Sequence, residues 1–138
     1  MIEESLRTAL RKLRLSGLAH TLDVRLAEAA GGRLSHAEFL ELIIQDELLV
    51  RQERLMERRT KQAAFRESRT LESFDFSFNT SVPRKRIYEL ATCRFIEQGR
   101  DVLLIGPPGV GKSHLAQALG HQAIRHGLTV RYRSIFDL

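Results

Sequence analysis

The chain has 138 residues, 43% of them apolar and 28% charged, with a formal net charge of +5. These values suit one folded domain, or one domain with an appendage. No apolar stretch approaches the ~20 residues that span a bilayer, no signal peptide opens the chain, and a lone Cys93 excludes an internal disulfide, so a protein of the reducing cytoplasm with no membrane partner is expected.

The first third reads as helices. Leu6, Leu10 and Leu13 form one apolar stripe that stops near Leu15-Ser16-Gly17, and Leu18, Leu22 and Leu26 form a second that ends at Gly31-Gly32. Ser35-His36-Ala37-Glu38 matches a capping box, with Ser35 as N-cap and Glu38 at N3. It predicts a long helix reaching about Phe65.

That helix changes character along its length. Residues 1–50 carry 6 basic and 8 acidic side chains, whereas residues 51–69 carry 7 basic and 3 acidic. Arg51, Arg54, Arg58 and Lys61 share one helical face. Such a face can track a phosphate backbone. It can equally be a solvated face in which Glu47–Arg51 and Glu57–Lys61 pair along the helix, and pattern alone leaves both open.

Residues 70–78 alternate Phe74, Phe76 and Phe78 with small or polar residues, which predicts an extended segment whose aromatic face packs down. Base stacking by the same rings is the lesser alternative, because no Arg or Lys interleaves them. Pro83 fits the first turn of a helix running through Ile87, Leu90, Ala91, Phe95 and Ile96. Cys93 falls within that pattern and reads as a small core residue rather than a nucleophile.

Gly106-Pro107-Pro108-Gly109-Val110-Gly111-Lys112-Ser113 fits G-x-x-x-x-G-K-[ST], the phosphate-binding loop. Glycines at 106, 109 and 111 let the backbone approach an anion and take positive φ. Lys112 is expected to face the β- and γ-phosphates of ATP, and the Ser113 hydroxyl to ligate Mg²⁺. His114 follows in the first turn of the expected helix, whose N-terminal dipole favours an anion.

The flanks complete the expectation. Asp101-Val102-Leu103-Leu104-Ile105 reads as a buried parallel strand, and Leu115, Ala118, Leu119, Ala123 and Ile124 as a helix with Gly127 at its C-terminal end. Residues 128–133 read as a second strand, giving a βαβ unit. The predicted fold class is therefore α/β, a helical region followed by the beginning of a parallel-sheet NTPase domain. The boundaries expected are 1–65 for the helical DNA- or partner-binding region, 66–82 for a linker, and 83–138 for the nucleotide-binding part. The five histidines show no metal-ligand spacing.

On these residues the chain resembles the IstB-like ATP-binding proteins, helper ATPases of insertion-sequence transposition related to the DnaC-type helicase loaders of the AAA+ class. The resemblance runs through Leu15-Ser16-Gly17-Leu18, Glu57-Arg58-Arg59, residues 71–78, Glu89-Leu90-Ala91-Thr92 and the phosphate loop with its strand. The phosphate loop alone is shared by many NTPases, and the Phe-Asp-Phe segment before it is far more specific. The resemblance implies ATP and Mg²⁺ as cofactors, DNA and a transposase as partners, and a homo-oligomer in the full-length family. It also implies acidic carboxylates on a later strand and an arginine finger, which hydrolysis needs. Residues 114–138 contain neither, so a truncated product unable to hydrolyse ATP alone is expected. A DnaC-like helicase loader is the alternative within the class. A small P-loop kinase is the alternative outside it, although such a kinase needs an Arg-rich lid after the loop.

Overall fold

A computed structural model describes residues 3–78 and 80–137. The chain divides into two compact units, Met1–Leu55 and Met56–Leu138. Among the described residues no helix is long and apolar enough to cross a membrane.

The first unit contains α1 (Glu4–Lys12), α2 (Ser16–Ala30) and the N-terminal part of α3 (His36–Ala63). Its core is Leu10, Leu18, Leu22 and Ile43, with Leu15, Ala19 and Phe39 packed against it. Both predicted leucine stripes thus supply core residues. The Ser35 hydroxyl accepts the Glu38 backbone N–H at 3.1 Å, the expected N-cap bond of α3. Helices α2 and α3 approach so closely at Gly17 that a Cβ there would lie 2.8 Å from Val50.

One buried carboxylate joins the same two helices. Glu47 on α3 accepts the backbone N–H groups of Gly17 at 2.9 Å and Leu18 at 3.2 Å, and Arg51 donates to its second oxygen at 3.0 Å. No side chain of α2 caps its own start, so Glu47 satisfies two first-turn amides from outside the helix. Burial by itself would raise the Glu47 carboxyl, but donation from Leu18, Arg51 and Gly17 outweighs burial and holds it below its ordinary value. Beside it, hydrogen bonds from Arg25 and Thr21 hold Asp46 below its ordinary value as well.

The second unit contains the C-terminal turns of α3, then α4 (Arg84–Leu90), α5 (Arg94–Glu97), α6 (Lys112–Arg125) and a final 3₁₀ turn (Ile135–Asp137). Leu71, Ile87, Ala91, Leu115 and Ala118 form its core, flanked by Phe74, Phe76, Val82, Leu90, Leu104 and Leu119. Helix α6 ends as the glycine predicted. Gly127 takes φ +87°, its N–H bonds Ile124 C=O, and Leu128 N–H bonds Ala123 C=O, both at 2.9 Å.

Three expectations need correction. The α/β class is overturned, because no strand and no sheet is present among the described residues. Residues 101–105 do alternate, with Val102 and Leu104 half-buried and Asp101, Leu103 and Ile105 exposed. A strand, however, is defined by ladder bonds to a neighbour, and residues 128–133 do not supply them. The recorded backbone bonds of that second run go from Leu128 N–H to Ala123 C=O, at the end of α6, and from Tyr132 N–H to Ala63 C=O, at the end of α3. An isolated parallel pair is weak without further strands to bury both faces.

The single helix expected after Pro83 is also two, α4 and α5. Cys93 is buried, as its pattern suggested, but sits at φ +62° and breaks the helix. Burial and the nearby Glu97 carboxylate push its thiol above the ordinary value, away from nucleophile behaviour. The phenylalanine alternation, finally, is only partly inward: Phe74 and Phe76 pack against the core, whereas Phe78 is 85% exposed.

Candidate functional site

The phosphate-loop residues fall together at the start of α6. Gly109 and Gly111 take φ +84° and +92°, the left-handed region where only glycine sits without strain. The Lys112 ammonium folds back inside the loop, donating to the carbonyls of Gly106 and, at 2.8 Å, Pro107. Ser113 opens the first full turn of α6 with its side chain exposed. Leu115 N–H bonds the Gly111 carbonyl at 3.0 Å, fixing the helix directly onto the loop.

Beside the loop lies a cavity of about 560 Å³. Most of its lining is apolar, from Val82, Ile87, Leu90 and the 102–105 run, and its charged lining is Arg86, Asp101 and Lys112. A concave, mainly apolar space with a few converging polar groups is the ordinary form of a small-molecule site. The donor set fits a triphosphate: backbone freedom at two glycines, one ammonium, one hydroxyl and a 14-residue helix starting at Lys112. Among the described residues no group of three or more His, Cys, Asp or Glu could hold a metal by itself. A cation here would depend on the Ser113 hydroxyl together with phosphate oxygens.

The structure adds contacts that the sequence did not reveal. Phe74 lies against the loop, so that a Cβ at Gly111 would meet its ring at 2.7 Å. His114 turns away from the loop interior. Its Nε2 lies 3.1 Å from Ser73 Oγ and 2.9 Å from Thr70 C=O, and its ring meets Phe74 edge-on with centroids 5.1 Å apart. The Phe-rich segment is thus locked onto the first turn of α6 from outside. Alternation of Phe74 and Phe76 signalled packing, but nothing local signalled that the surface packed against is the phosphate loop.

The proposed basic face is less uniform than its spacing implied. In the first unit, Arg51 is engaged by Glu47, while Arg54 is exposed and has no ion pair among the described residues. In the second unit, Arg58 is exposed, and Lys61 lines a small cavity with Phe65 and His121. The Glu57–Lys61 pair expected from spacing is not among the ion pairs of the described residues.

Comparison with known proteins adds a second line of observation. The family model for IstB-like ATP binding protein matches residues 8–138. An ATP-binding protein of an insertion sequence from Mycobacterium tuberculosis is 44% identical over 130 residues, covering 94% of this chain and 52% of its own length. An insertion-sequence ATP-binding protein from Pseudomonas aeruginosa is 42% identical over 127 residues, covering 92% and 48%. One from Geobacillus stearothermophilus is 31% identical over 137 residues, covering 99% and 55%. The chain spans about half the length of these curated relatives.

Proposed function

Because the chain belongs to the family of IstB-like ATP-binding proteins, we propose that it is the nucleotide-holding, DNA-associated part of an insertion-sequence helper. One observation carries the nucleotide reading. Gly109 and Gly111 adopt positive φ immediately before α6, with Lys112 turned into the loop they form. On this reading the loop amides and Lys112 hold the phosphates of ATP. Ser113 contributes its hydroxyl to Mg²⁺, and the adjoining cavity offers room for the nucleoside. His114 acts through its place in the chain, since its ring is committed to Ser73 and Thr70.

The partners follow from the family resemblance and from charge. DNA is supported by the excess of four positive charges in residues 51–69. A transposase partner and assembly into a homo-oligomer are supported by the insertion-sequence setting of the relatives. These residues are assigned the holding of the triphosphate and not its cleavage, since cleavage needs a water-orienting acidic pair and an arginine finger.

Calorimetry with Mg·ATP tests the reading. Lys112→Ala removes the cation facing the phosphates and is expected to weaken binding by about tenfold or more, a loss of ~1.4 kcal/mol or greater. Equal affinity of wild type and variant would refute it. Steady turnover by the wild-type chain, abolished in Lys112→Ala, would refute the assignment of holding alone.

A further inference from the structure

The first unit contains a second cavity, of about 510 Å³, in the region of the α1–α2 turn and α3. Its apolar lining is Leu10 and Ala19, and the rest is Arg11, Arg14, Ser16, His20 and Arg54. Three arginines and a histidine therefore border one space, and no acidic residue is among those that line it. Glu4 and Glu47 do not neutralise them. Glu4 reaches Arg11 only at 3.9 Å, with both side chains about three-quarters exposed, a geometry that contributes little. Glu47 is committed to Gly17, Leu18 and Arg51. Arg14 and Arg54 have no ion pair among the described residues.

Such a cluster opposes folding through its own repulsion unless an anion offsets it. The backbone shows a related cost. Arg14 occupies φ +57°, a conformation unfavourable for a side chain of its kind, within the turn that feeds the cavity. Guanidinium groups present planar pairs of N–H donors that match phosphate oxygens, and the Ser16 hydroxyl adds one more donor.

We propose that this cavity is a phosphate-binding site, and that its ligands are neighbouring backbone phosphates of DNA, one paired with each of Arg11, Arg14 and Arg54. The inference rests on the DNA reading above and deepens it. It moves the principal contact in the first unit from Arg51, which Glu47 engages, to a cluster assembled from two separate stretches of chain. The polymer is favoured over a free phosphate because it brings several phosphates to the three arginines at once, each contact adding to affinity.

The test is fluorescence anisotropy of the full chain with a labelled duplex across a salt series. Each of Arg11→Gln, Arg14→Gln and Arg54→Gln should reduce the slope of log affinity against log salt by about one, and the triple variant by about three. Lys85→Gln, an equal loss of charge on α4, should leave the slope unchanged. Arg14→Lys and Arg54→Lys keep the charge and should keep the slope, which separates loss of contact from loss of fold. A wild-type chain that binds DNA in a salt-dependent way, with a triple variant of unchanged slope, overturns the cavity assignment and leaves the DNA reading standing. A wild-type chain with no salt-dependent DNA binding overturns both. Calorimetric binding of inorganic pyrophosphate to a Lys112→Ala chain without DNA binding, lost in the triple variant, overturns the choice of DNA as ligand.

Discussion

The two units stabilise themselves by different means. In the first, the core of Leu10, Leu18, Leu22 and Ile43 draws on α1, α2 and α3, and the buried acid Glu47 has three donors. In the second, a comparable core around Leu71, Ile87 and Leu115 coexists with an apolar run left open to water, where Leu103 is 81% and Ile105 89% exposed. A helix satisfies its backbone within its own segment. A β-segment satisfies nothing until a neighbour arrives. The contrast shows how far a unit rich in helices can close on local instructions, and where a unit with β-like segments stops.

The largest expected effect is at the phosphate loop. Gly111→Val would combine φ +92° with a collision against the Phe74 ring, costing about 2–4 kcal/mol from strain and overpacking together. Hydrogen exchange should show protection lost on α6 and around Leu71 and Ile87, with α1 and α2 unchanged. Equal loss in both units would break the contrast, because the units would then unfold as one.

A smaller effect is expected in the first unit. Glu47→Ala leaves the Gly17 and Leu18 amides without their acceptor, a loss of about 1–3 kcal/mol. The carboxyl also sets an acid limit. Its pKa in the fold lies below the ordinary 4.5, so its contribution is complete above pH 4.5 and is lost as pH falls through the folded value. Asp46, held below its ordinary 3.8, acts in the same direction. Circular dichroism of wild type and Glu47→Ala between pH 5 and 2 should show the variant losing part of that acid dependence. An identical acid profile would remove Glu47 from the account of the first unit.

The smallest effect concerns His121 in the second unit. Its Nε2 is buried without a hydrogen-bond partner, and its ring stacks on Phe65 with centroids 4.3 Å apart. Burial, with the nearby Arg125 charge, pushes its pKa below the ordinary 6.5. The neutral ring is therefore fully compatible with the fold above pH 6.5, and stability falls as pH drops below that value and the unfolded chain gains a proton. His121→Phe removes the unpaired nitrogen and retains the ring. A gain of up to about 1 kcal/mol is expected, with a flatter dependence between pH 5 and 7. Thermal melting at pH 5 and pH 7 checks it, and a wild-type profile in the variant would place the acid sensitivity elsewhere. The two units should thus respond to acid in separate windows, the second from about pH 6.5 and the first from about 4.5.

What the sequence made legible follows the same division. The helices were readable because their information is local: Ser35 and Glu38 start α3, Gly127 ends α6, and leucine spacing identifies inward faces. The loop was readable because Gly106, Lys112 and Ser113 carry their spacing within eight residues. The absence of a sheet among the described residues was not, because Val102 and Leu104 announce a strand without containing the neighbour that would make one. The break at Cys93 is not legible in the sequence, because a left-handed cysteine has no compositional signature. The cluster around Arg11, Arg14 and Arg54 was hidden by averaging, since residues 1–50 are net acidic while Arg11, Lys12 and Arg14 crowd into four positions.

The ring of Phe74 resting on Gly111 has a meaning beyond packing. It ties the history of two distant positions together. A bulkier residue at 111 is inaccessible while the ring is present, and a smaller residue at 74 would leave the loop's outer wall bare. The positive φ bars a side chain at 111 even without the ring, so among descendants of this sequence the glycine should persist, with the aromatic beside it as the wall of the loop.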